Sequence, residues 1–352
     1  MPGSHRLNCA IAALTIVFIG SAFNPVYAEE TAPVIVAIID SGIDYHHEDL
    51  KGMMWVNTAE RDGVDYVDDD GNGCVDDIHG CDVRSLVRNN LGYYPGLGGP
   101  DYEKDRYMRP DGIGHGTHVA GLIGAQRHNG IGIDGLAVNV QLMAVTFINP
   151  GNSANMADAA IAIRYAVDNG AKIINCSFGQ RYLDPEVSDQ LRDAVTYADA
   201  HGVLVIAAAG NYGHDLDAVD SFFPASLRQD NMIIVAALDV DGGLWQHSNY
   251  GMQSVDIAAA GTSVYSTVPK GEISLFRKLY DPSGYMISEG TSIATPRVTA
   301  LVANLYQQYP GTGHYQIRQM VLDQAVSNPA LTGKIRRGAY VAHVLLGNEA
   351  TP

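Results

Sequence analysis

Ser292 lies in the stretch EGTSIATP, Glu289 to Pro296, where small residues lead into an apolar pattern that continues at helical spacing to about Tyr306. A hydroxyl at a helix N-terminus sits among unpaired backbone N–H groups and the positive end of the helix dipole. A developing oxyanion is stabilised there, and a serine nucleophile is well placed. The simpler role is a helix cap, for which serine is a preferred residue. A nucleophile needs more than a cap does: a base, an acid that orients the base, and a second donor to the oxyanion. His115 in GHGTH has flanking glycines that leave its ring accessible, Asp40 ends an apolar run just before Ser41-Gly42, and Asn211 closes AAAGN. Each also has an ordinary reading: a helix-start histidine, a turn former, a left-handed turn residue beside Gly210.

Other chemistries fit less well. The histidines of HGTH, His115 and His118, stand three apart with Gly and Thr between them. A zinc-protease helix spaces them four apart with a glutamate between. His118 is therefore expected to pack beneath its helix. Ser292 lacks the G-x-S-x-G turn of an esterase, because Ala294 stands at the final glycine. A second chemical feature is DDDGNGCVDD, Asp68 to Asp77. Asp68, Asp70, Asn72 and Asp76 alternate around Gly71 and Gly73, a tight turn presenting several oxygens inward, which suits a hard cation such as calcium. It matches the first nine positions of an EF-hand loop, with His79 where the bidentate glutamate belongs. A solvated acidic turn is the alternative.

The elements that must position these residues are legible from hydrophobic patterning. PVIVAIID, ending at Asp40, is a continuous apolar run of the kind buried on both faces of a sheet. VQLMAV (Val140–Val145), KIINCS, VLVIAAAG, IIVAAL and VDIAAAG repeat the pattern. Between them, Met156, Ala159, Ala160, Ile163 and Val167 recur at helical spacing, as do Val187, Leu191, Ala194, Val195 and Ala198. Strands alternating with amphipathic helices mean crossover connections, an α/β fold and a mostly parallel sheet. Ligand sites in such sheets lie beyond the carboxyl ends of the strands, where Asp40 and Asn211 both fall. Residues 51–110, rich in Asp, Gly, Asn and Tyr, read as a long surface insertion.

The chain order Asp, His, Ser differs from that of the chymotrypsin and α/β-hydrolase families. With its local sequences it resembles the subtilisin-like serine proteases, or subtilases. The motifs that carry the resemblance are IIDSGID (Ile38–Asp44), GHGTHVAG (Gly114–Gly121) and GTSIATP (Gly290–Pro296), with shorter matches at INCSFG, AAAGN, FPAS, SNYG and VDIAAAGT. The resemblance runs from about Val34 to Leu346 and implies a three-layer αβα subtilisin-like fold over a single catalytic domain, 29–352. It implies Ser292 as nucleophile, His115 as general base and then acid, and Asp40 as the orienting carboxylate. Asn211 would be the side-chain oxyanion donor, whose removal would cost about 3–4 kcal/mol of transition-state stabilisation. Ser177, Phe178, Gly179 and Gln180, with Ala208 and Gly210, would edge the pocket for the residue before the scissile bond. Gln180 stands where a glycine is common in the family, so a narrowed or more polar pocket is expected. Subtilases with an insertion of this kind often bind calcium in it, which favours calcium at the acidic run.

Composition bounds the rest. With 46% hydrophobic and 17% charged residues the chain is expected to be globular, and a net charge of −17 argues against nucleic acid as a partner. The N-terminus reads as an export signal over residues 1–28: His5 and Arg6, an apolar run from Cys9 to Gly20, then Val26-Tyr27-Ala28. Its removal leaves no membrane anchor and places the protein in an extracellular or periplasmic setting. Of the remaining cysteines, Cys176 reads as a small buried hydrophobe. Cys74 and Cys81 are the short-range pair, either a disulfide stapling the acidic loop or free thiols. Only four residues separate the signal from the first strand, where most subtilases carry a propeptide; either the domain folds unaided, or a folding assistant or inhibitor acts in trans beside polypeptide substrates, or the precursor has been shortened. Ile293 replaces the family's usual methionine, and Glu289 and Arg297 bracket the serine motif, with Arg297 expected to pair with an acid. These departures keep open a secreted binding scaffold that has lost turnover, and the acyl-enzyme chemistry leaves room for a transpeptidase.

Overall fold

The computed structural model describes residues 32–84, 111, 113–149, 153–218, 222–270 and 283–341. The export signal expected over 1–28 lies outside the described residues, as does 85–110 of the expected insertion.

The apolar runs form strands where they were expected. In chain order the strands are β1 (Val34–Asp40), β2 (Gly80–Asp82), β3 (Val140–Thr146), β4 (Ile173–Cys176), β5 (Gln180–Arg181), β6 (Leu204–Ala208) and β7 (Phe222–Phe223). They continue with β8 (Met232–Leu238), β9 (Ile257–Ala260), β10 (Val264–Thr267), β11 (Tyr285–Ser288), β12 (Val326–Ser327) and β13 (Ala339–Tyr340). The α-helices are α1 (Thr58–Asp62), α2 (His115–Gly124), α3 (Met156–Asp168), α4 (Pro185–Ala200), α5 (Thr291–Gln308) and α6 (His314–Asp323). Their ends follow local chemistry. Asn155 caps α3 through its side chain, and Asp184 caps α4 with Pro185 in the first turn.

Nine strands form one sheet in the order β12-β13-β9-β8-β6-β4-β1-β3-β2. Every pairing in it is parallel except β12 with β13. β1 lies between β3 and β4, with Val36 opposite both Val140's neighbour Leu142 and Ile173. Alternation along the strands divides the interior in two. Ala37, Ile39, Met143, Val145, Ile174 and Val205 face a core shared with α3 and α4. Val36, Ile38, Leu142, Ile173, Leu204 and Ile206 face the other, shared with α2, α5 and α6. Both faces are therefore covered, which gives the three-layer αβα arrangement and explains why the strands read as unbroken apolar runs.

The described part of the expected insertion, 51–84, is more integrated than a surface loop. Trp55 N–H donates to Leu142 O, and β2 pairs with β3 as the edge of the sheet. Cys74, Cys81 and Val83 are buried in the core beside α3. Cys74 and Cys81 are joined as a disulfide with a Cα–Cα distance of 6.1 Å. The acidic composition hid this because only a few residues, Trp55, Cys74, Cys81 and Val83, carry the apolar anchoring.

Candidate active site

Three adjacent strands deliver the polar residues at their carboxyl ends. Asp40 is the last residue of β1, Ser177 follows β4, and Ala209-Gly210-Asn211 follow β6. His115 begins α2 and Ser292 lies in the first turn of α5. The two helices are joined by a small apolar cluster of Leu122, Val264 and Ile293. Ile293, the replacement for methionine, is fully buried there.

His115 Nδ1 lies 2.9 and 3.0 Å from the two carboxylate oxygens of the fully buried Asp40. This geometry calls for the proton on Nδ1, donated to Asp40, with Nε2 facing outward. Burial lowers the proton affinity of His115, but the charge and hydrogen bond of Asp40, with the charge of Asp111, outweigh it and leave the imidazole pKa raised. The approach of α2 to β1 depends on Gly116. A Cβ there would lie 2.1 Å from Gly42 O and 3.1 Å from Asp40 Cβ, so any side chain would separate His115 from its carboxylate.

Asp111 was not singled out in the sequence, yet it holds this corner. Its carboxylate accepts from Ile113 N–H, Gly114 N–H, Thr117 N–H, Thr117 Oγ1 and Ser41 Oγ at 2.6–3.0 Å. Ser41 Oγ in turn accepts from Gly116 N–H at 3.0 Å. Burial raises the Asp111 carboxyl above the ordinary range against the pull of these donors. His118 is buried as expected. Its Nε2 lies near Val264 O and Met286 O, and burial pushes its pKa down to about 3, leaving a neutral packing residue. The nearby charge of Arg297 acts in the same direction, and Glu289 is exposed.

Around Ser292 the backbone is arranged by two residues that break helical regularity. Pro296 has no N–H, so the carbonyl one turn earlier, Ser292 O, has no partner within the helix. Ser177 Oγ donates to it at 2.8 Å, and is itself backed by Asn175 Nδ2 and, through Asn175 Oδ1, by Thr299 Oγ1. Gly290 takes φ +141. A Cβ on it would lie 3.1 Å from Asn211 Nδ2 and 3.2 Å from Ser292 Oγ. The amide and the hydroxyl thus converge on one small space that only glycine leaves open. Asn211 Oδ1 accepts from Thr291 N–H and Thr291 Oγ1 at 2.9 and 2.8 Å, which turns Nδ2 toward that space. Thr291 Oγ1 also accepts from Gly210 N–H. Ser292 N–H, second in its helix, has no carbonyl a turn behind it. Among the described residues, no hydrogen bond engages His115 Nε2 or Ser292 Oγ.

Ser177 and Phe178 follow β4, with Ser177 hydrogen-bonded to Ser292 O, and Ala208 ends β6 with Gly210 two residues beyond it. Gly179 is exposed, and Gln180 is exposed with its backbone paired to Phe223.

The acidic loop differs from the expected ligand arrangement. Asp68 accepts from Asn72 N–H and Gly73 N–H, and Asp76 accepts from Tyr66 N–H, so both carboxylates close local turns. Asn72 Nδ2 donates to Asp70 and Asp77. The carboxylates that meet are Glu60, Asp70 and Asp77, whose oxygens lie within 4.8 Å of one another, with Glu60 and Asp77 buried. Asp77 also accepts from Asn57 Nδ2 and from the Tyr165 hydroxyl. Burial pushes the Asp77 carboxyl up to about 7 despite those donors.

A parallel αβα sheet with an Asp–His pair and a helix-start serine at its carboxyl edge is the layout of a hydrolase of the subtilisin type. The chain belongs to the subtilase family (peptidase S8), whose model matches residues 31–338. It is 33% identical over 322 residues to a subtilisin-like protease 1 of Plasmodium vivax, covering 87% of this chain and 46% of that one. It is 34% identical over 286 residues to a thermophilic serine proteinase of Bacillus sp. strain AK1, covering 81% and 55%. The chain thus spans about half the length of these curated relatives. Among solved structures, fervidolysin of Fervidobacterium pennivorans, a keratinolytic enzyme related to subtilisin, superposes with a TM-score of 0.61 at 27% identity, over 84% of this chain and 39% of that one. A protease of Pseudoalteromonas arctica superposes with a TM-score of 0.64 at 25% identity, over 85% of each chain.

Proposed function

We propose that this chain is an exported serine endopeptidase that hydrolyses polypeptides through an acyl-enzyme on Ser292. The observation that carries the reading is the convergence of Ser292 Oγ and Asn211 Nδ2 beside Gly290, with the Asp40–His115 pair opposite on the same sheet edge. Ser292 Oγ attacks the scissile carbonyl carbon as its proton passes to His115 Nε2. Asp40 holds the proton on Nδ1 and stabilises the imidazolium that forms. The carbonyl oxygen, now anionic, is met by Asn211 Nδ2 and Ser292 N–H at the helix N-terminus. His115 then gives its proton to the leaving nitrogen as the C–N bond breaks. Water, deprotonated by the same imidazole, releases the acyl group. Ser177, Phe178, Gly179, Gln180, Ala208 and Gly210 flank the residue before the scissile bond.

Glu60, Asp70 and Asp77 fit a hard cation: three carboxylates within 4.8 Å, two of them buried, offer only oxygen donors. Calcium is the ion this set suits, with Asp70 the one residue common to the expected ligands and the observed cluster. Its charge would offset the mutual repulsion of the three carboxylates and hold the loop on the sheet edge. Export is supported by the basic start and apolar run of the N-terminus and by the Cys74–Cys81 disulfide, which suits an oxidising compartment.

The test is to treat the purified protein with a fluorophosphonate and map the adduct by mass spectrometry, while following casein and peptide cleavage. Labelling of Ser292 together with loss of cleavage is the expected result. Full cleavage activity in the labelled protein sinks the proposal. Ligated products in the presence of a peptide amine would redirect it to transpeptidation.

A further inference from the structure

We infer that Phe222 sets the specificity of the site by closing the pocket between Gly179 and Gly210, so that only a small side chain fits before the scissile bond. The inference rests on the reading of those segments as the pocket walls. It names the class of peptide bond cleaved.

The walls diverge from neighbouring strands. Cys176 of β4 pairs with Ala207 of β6, and the chains continue as Ser177-Phe178-Gly179 and Ala208-Ala209-Gly210 beyond the sheet. Between such diverging segments a cleft would open beside Ser292. The ring of Phe222 stands in it. A Cβ added at Gly179 would meet Phe222 Cε1 and Cζ at 2.2 Å, and one added at Gly210 would meet the same two atoms at 2.7 Å. One ring edge therefore touches both walls. The gap at the level of the two glycines is one aromatic edge wide, and it is filled.

The ring is not free to swing aside. Phe222 is 5% exposed and belongs to the core cluster that includes Phe178, Ala209 and Ala225. Its backbone is held in β7, opposite Arg181 of β5, and its N–H donates to Ser226 Oγ at 3.1 Å. The Tyr212 ring stands 5.9 Å away at an interplanar angle of 62°, and the Arg181 guanidinium lies over Tyr212. Displacing the ring would disturb a packed core whose cost rises with each added methylene. A large side chain has to make that displacement, whereas alanine, serine or glycine does not. Gln180, whose extra bulk drew attention in the sequence, is exposed, and the neighbour two strands away in sequence does the narrowing.

The experiment compares peptides that differ only in the residue before the scissile bond: Ala, Ser, Leu and Phe. For the unaltered protein, kcat/KM is expected to favour Ala and Ser over Phe by about 100-fold, in the range that pocket volume alone can impose. In Phe222→Ala the ratio should move toward Phe by at least about 10-fold. Phe222→Leu, which retains more core volume, should shift it in the same direction by less and serves if the alanine variant does not fold. Binding of the same peptides to Ser292→Ala, measured by calorimetry, reads the pocket without chemistry. A preference for Leu or Phe in the unaltered protein, or an unchanged ratio in both Phe222 variants, overturns the inference. Selective binding of the small-residue peptides to Ser292→Ala without turnover by the unaltered protein upholds the pocket and overturns the peptidase reading. Turnover without selectivity does the reverse, and the absence of both turnover and binding overturns both.

Discussion

Two regions of this molecule bury carboxylates, and they treat them differently. At the carboxyl edge of the sheet, Asp40 and Asp111 are surrounded by donors: the imidazole of His115, the backbone N–H groups of Ser41, Ile113, Gly114 and Thr117, and the hydroxyls of Ser41 and Thr117. In the acidic loop, Glu60, Asp70 and Asp77 face one another; Glu60 accepts from the backbone N–H groups of Asp69, Asp70 and Asp76, and Asp77 accepts from Asn57, Asn72 and Tyr165, with no imidazole or other basic group among these donors. A buried charge is tolerable when donors aimed at it replace lost water. In the first region the donors include His115, a partner that can itself take up positive charge. In the second, burial pushes Asp77 up to about 7, and the nearby charge of Asp70 adds to the rise despite the donors Tyr165, Asn72 and Asn57. The contrast teaches that burial raises carboxylates in both regions, while only the loop sets three carboxylates within reach of one another, where a proton or a cation would relieve their repulsion.

The largest expected break in the comparison is at Asp40. Asp40→Asn keeps the shape, but Ser41 N–H claims the amide oxygen and an N–H₂ faces His115 Nδ1, which favours the wrong tautomer. Loss of about 10⁴-fold in kcat is expected, with the melting temperature little changed. A loss under 10-fold would mean that the Asp40–His115 bond is structural. Asn211→Ala is expected to lower kcat by about 10²–10³-fold, with KM nearly constant, because the amide is aimed at charge that exists only in the transition state. Equal losses in binding and turnover would place Asn211 on the substrate instead.

How far these roles were visible in the sequence follows the same division. That Asp40, His115, Asn211 and Ser292 would meet at one sheet edge was legible because each sits in its own local turn, with the glycines and small residues that the geometry requires; the roles proposed for them rest on that meeting. Asn175 and Thr299 were not legible, since they are 124 residues apart; Asp111 was not, because its local donors Ile113, Gly114 and Thr117 read as an ordinary turn and only Ser41, 70 residues away, ties it to the corner. In the loop, the spacing and the observed side-chain cluster point to different carboxylates. The alternation of Asp68, Asp70, Asn72 and Asp76 suggested inward-facing ligands, but a glycine-rich turn also exposes backbone N–H groups, and Asp68 and Asp76 are taken up by those. Glu60 came from a short helix outside the acidic run, so no spacing within the run could have pointed to it. The αβα layering was legible from unbroken apolar strands, whereas β2 was hidden by the polar residues around Cys81.

The loop is where a cation should separate stability from catalysis. Removing calcium with a chelator is expected to lower the melting temperature by several degrees, as loss of a ligand present at about 100 times its Kd costs about 2.7 kcal/mol and each kcal/mol is worth roughly 2–4 °C in domains of about 150–250 residues. Asp77→Asn should abolish most of that response, and kcat on a short peptide at 25 °C should stay within about threefold. Scanning calorimetry with and without calcium, paired with the assay, reads both. A chelator that left the melting temperature unmoved would show that the three carboxylates are resolved by protons alone.

The smallest and sharpest test lies at Asp111, the carboxylate closest in kind to those of the loop but placed among donors. Both Asp40 and Asp111 raise the pKa of His115 through their negative charge, against the lowering effect of burial. The base must be neutral to act, so the acidic limb of kcat/KM in the free enzyme reports that pKa and should lie above the ordinary histidine range. Asp111→Asn removes one of the two charges. The imidazolium is then held less tightly, its proton leaves at lower pH, and the acidic limb moves to lower pH. The variant should also lose about 1–3 kcal/mol of stability, because an amide N–H₂ now faces donors such as Thr117 N–H and Oγ1. A purely structural role would produce that instability and leave the limb where it was. The pH profile, measured well below the melting temperature, therefore decides whether Asp111 only braces the corner or also sets the charge on the base.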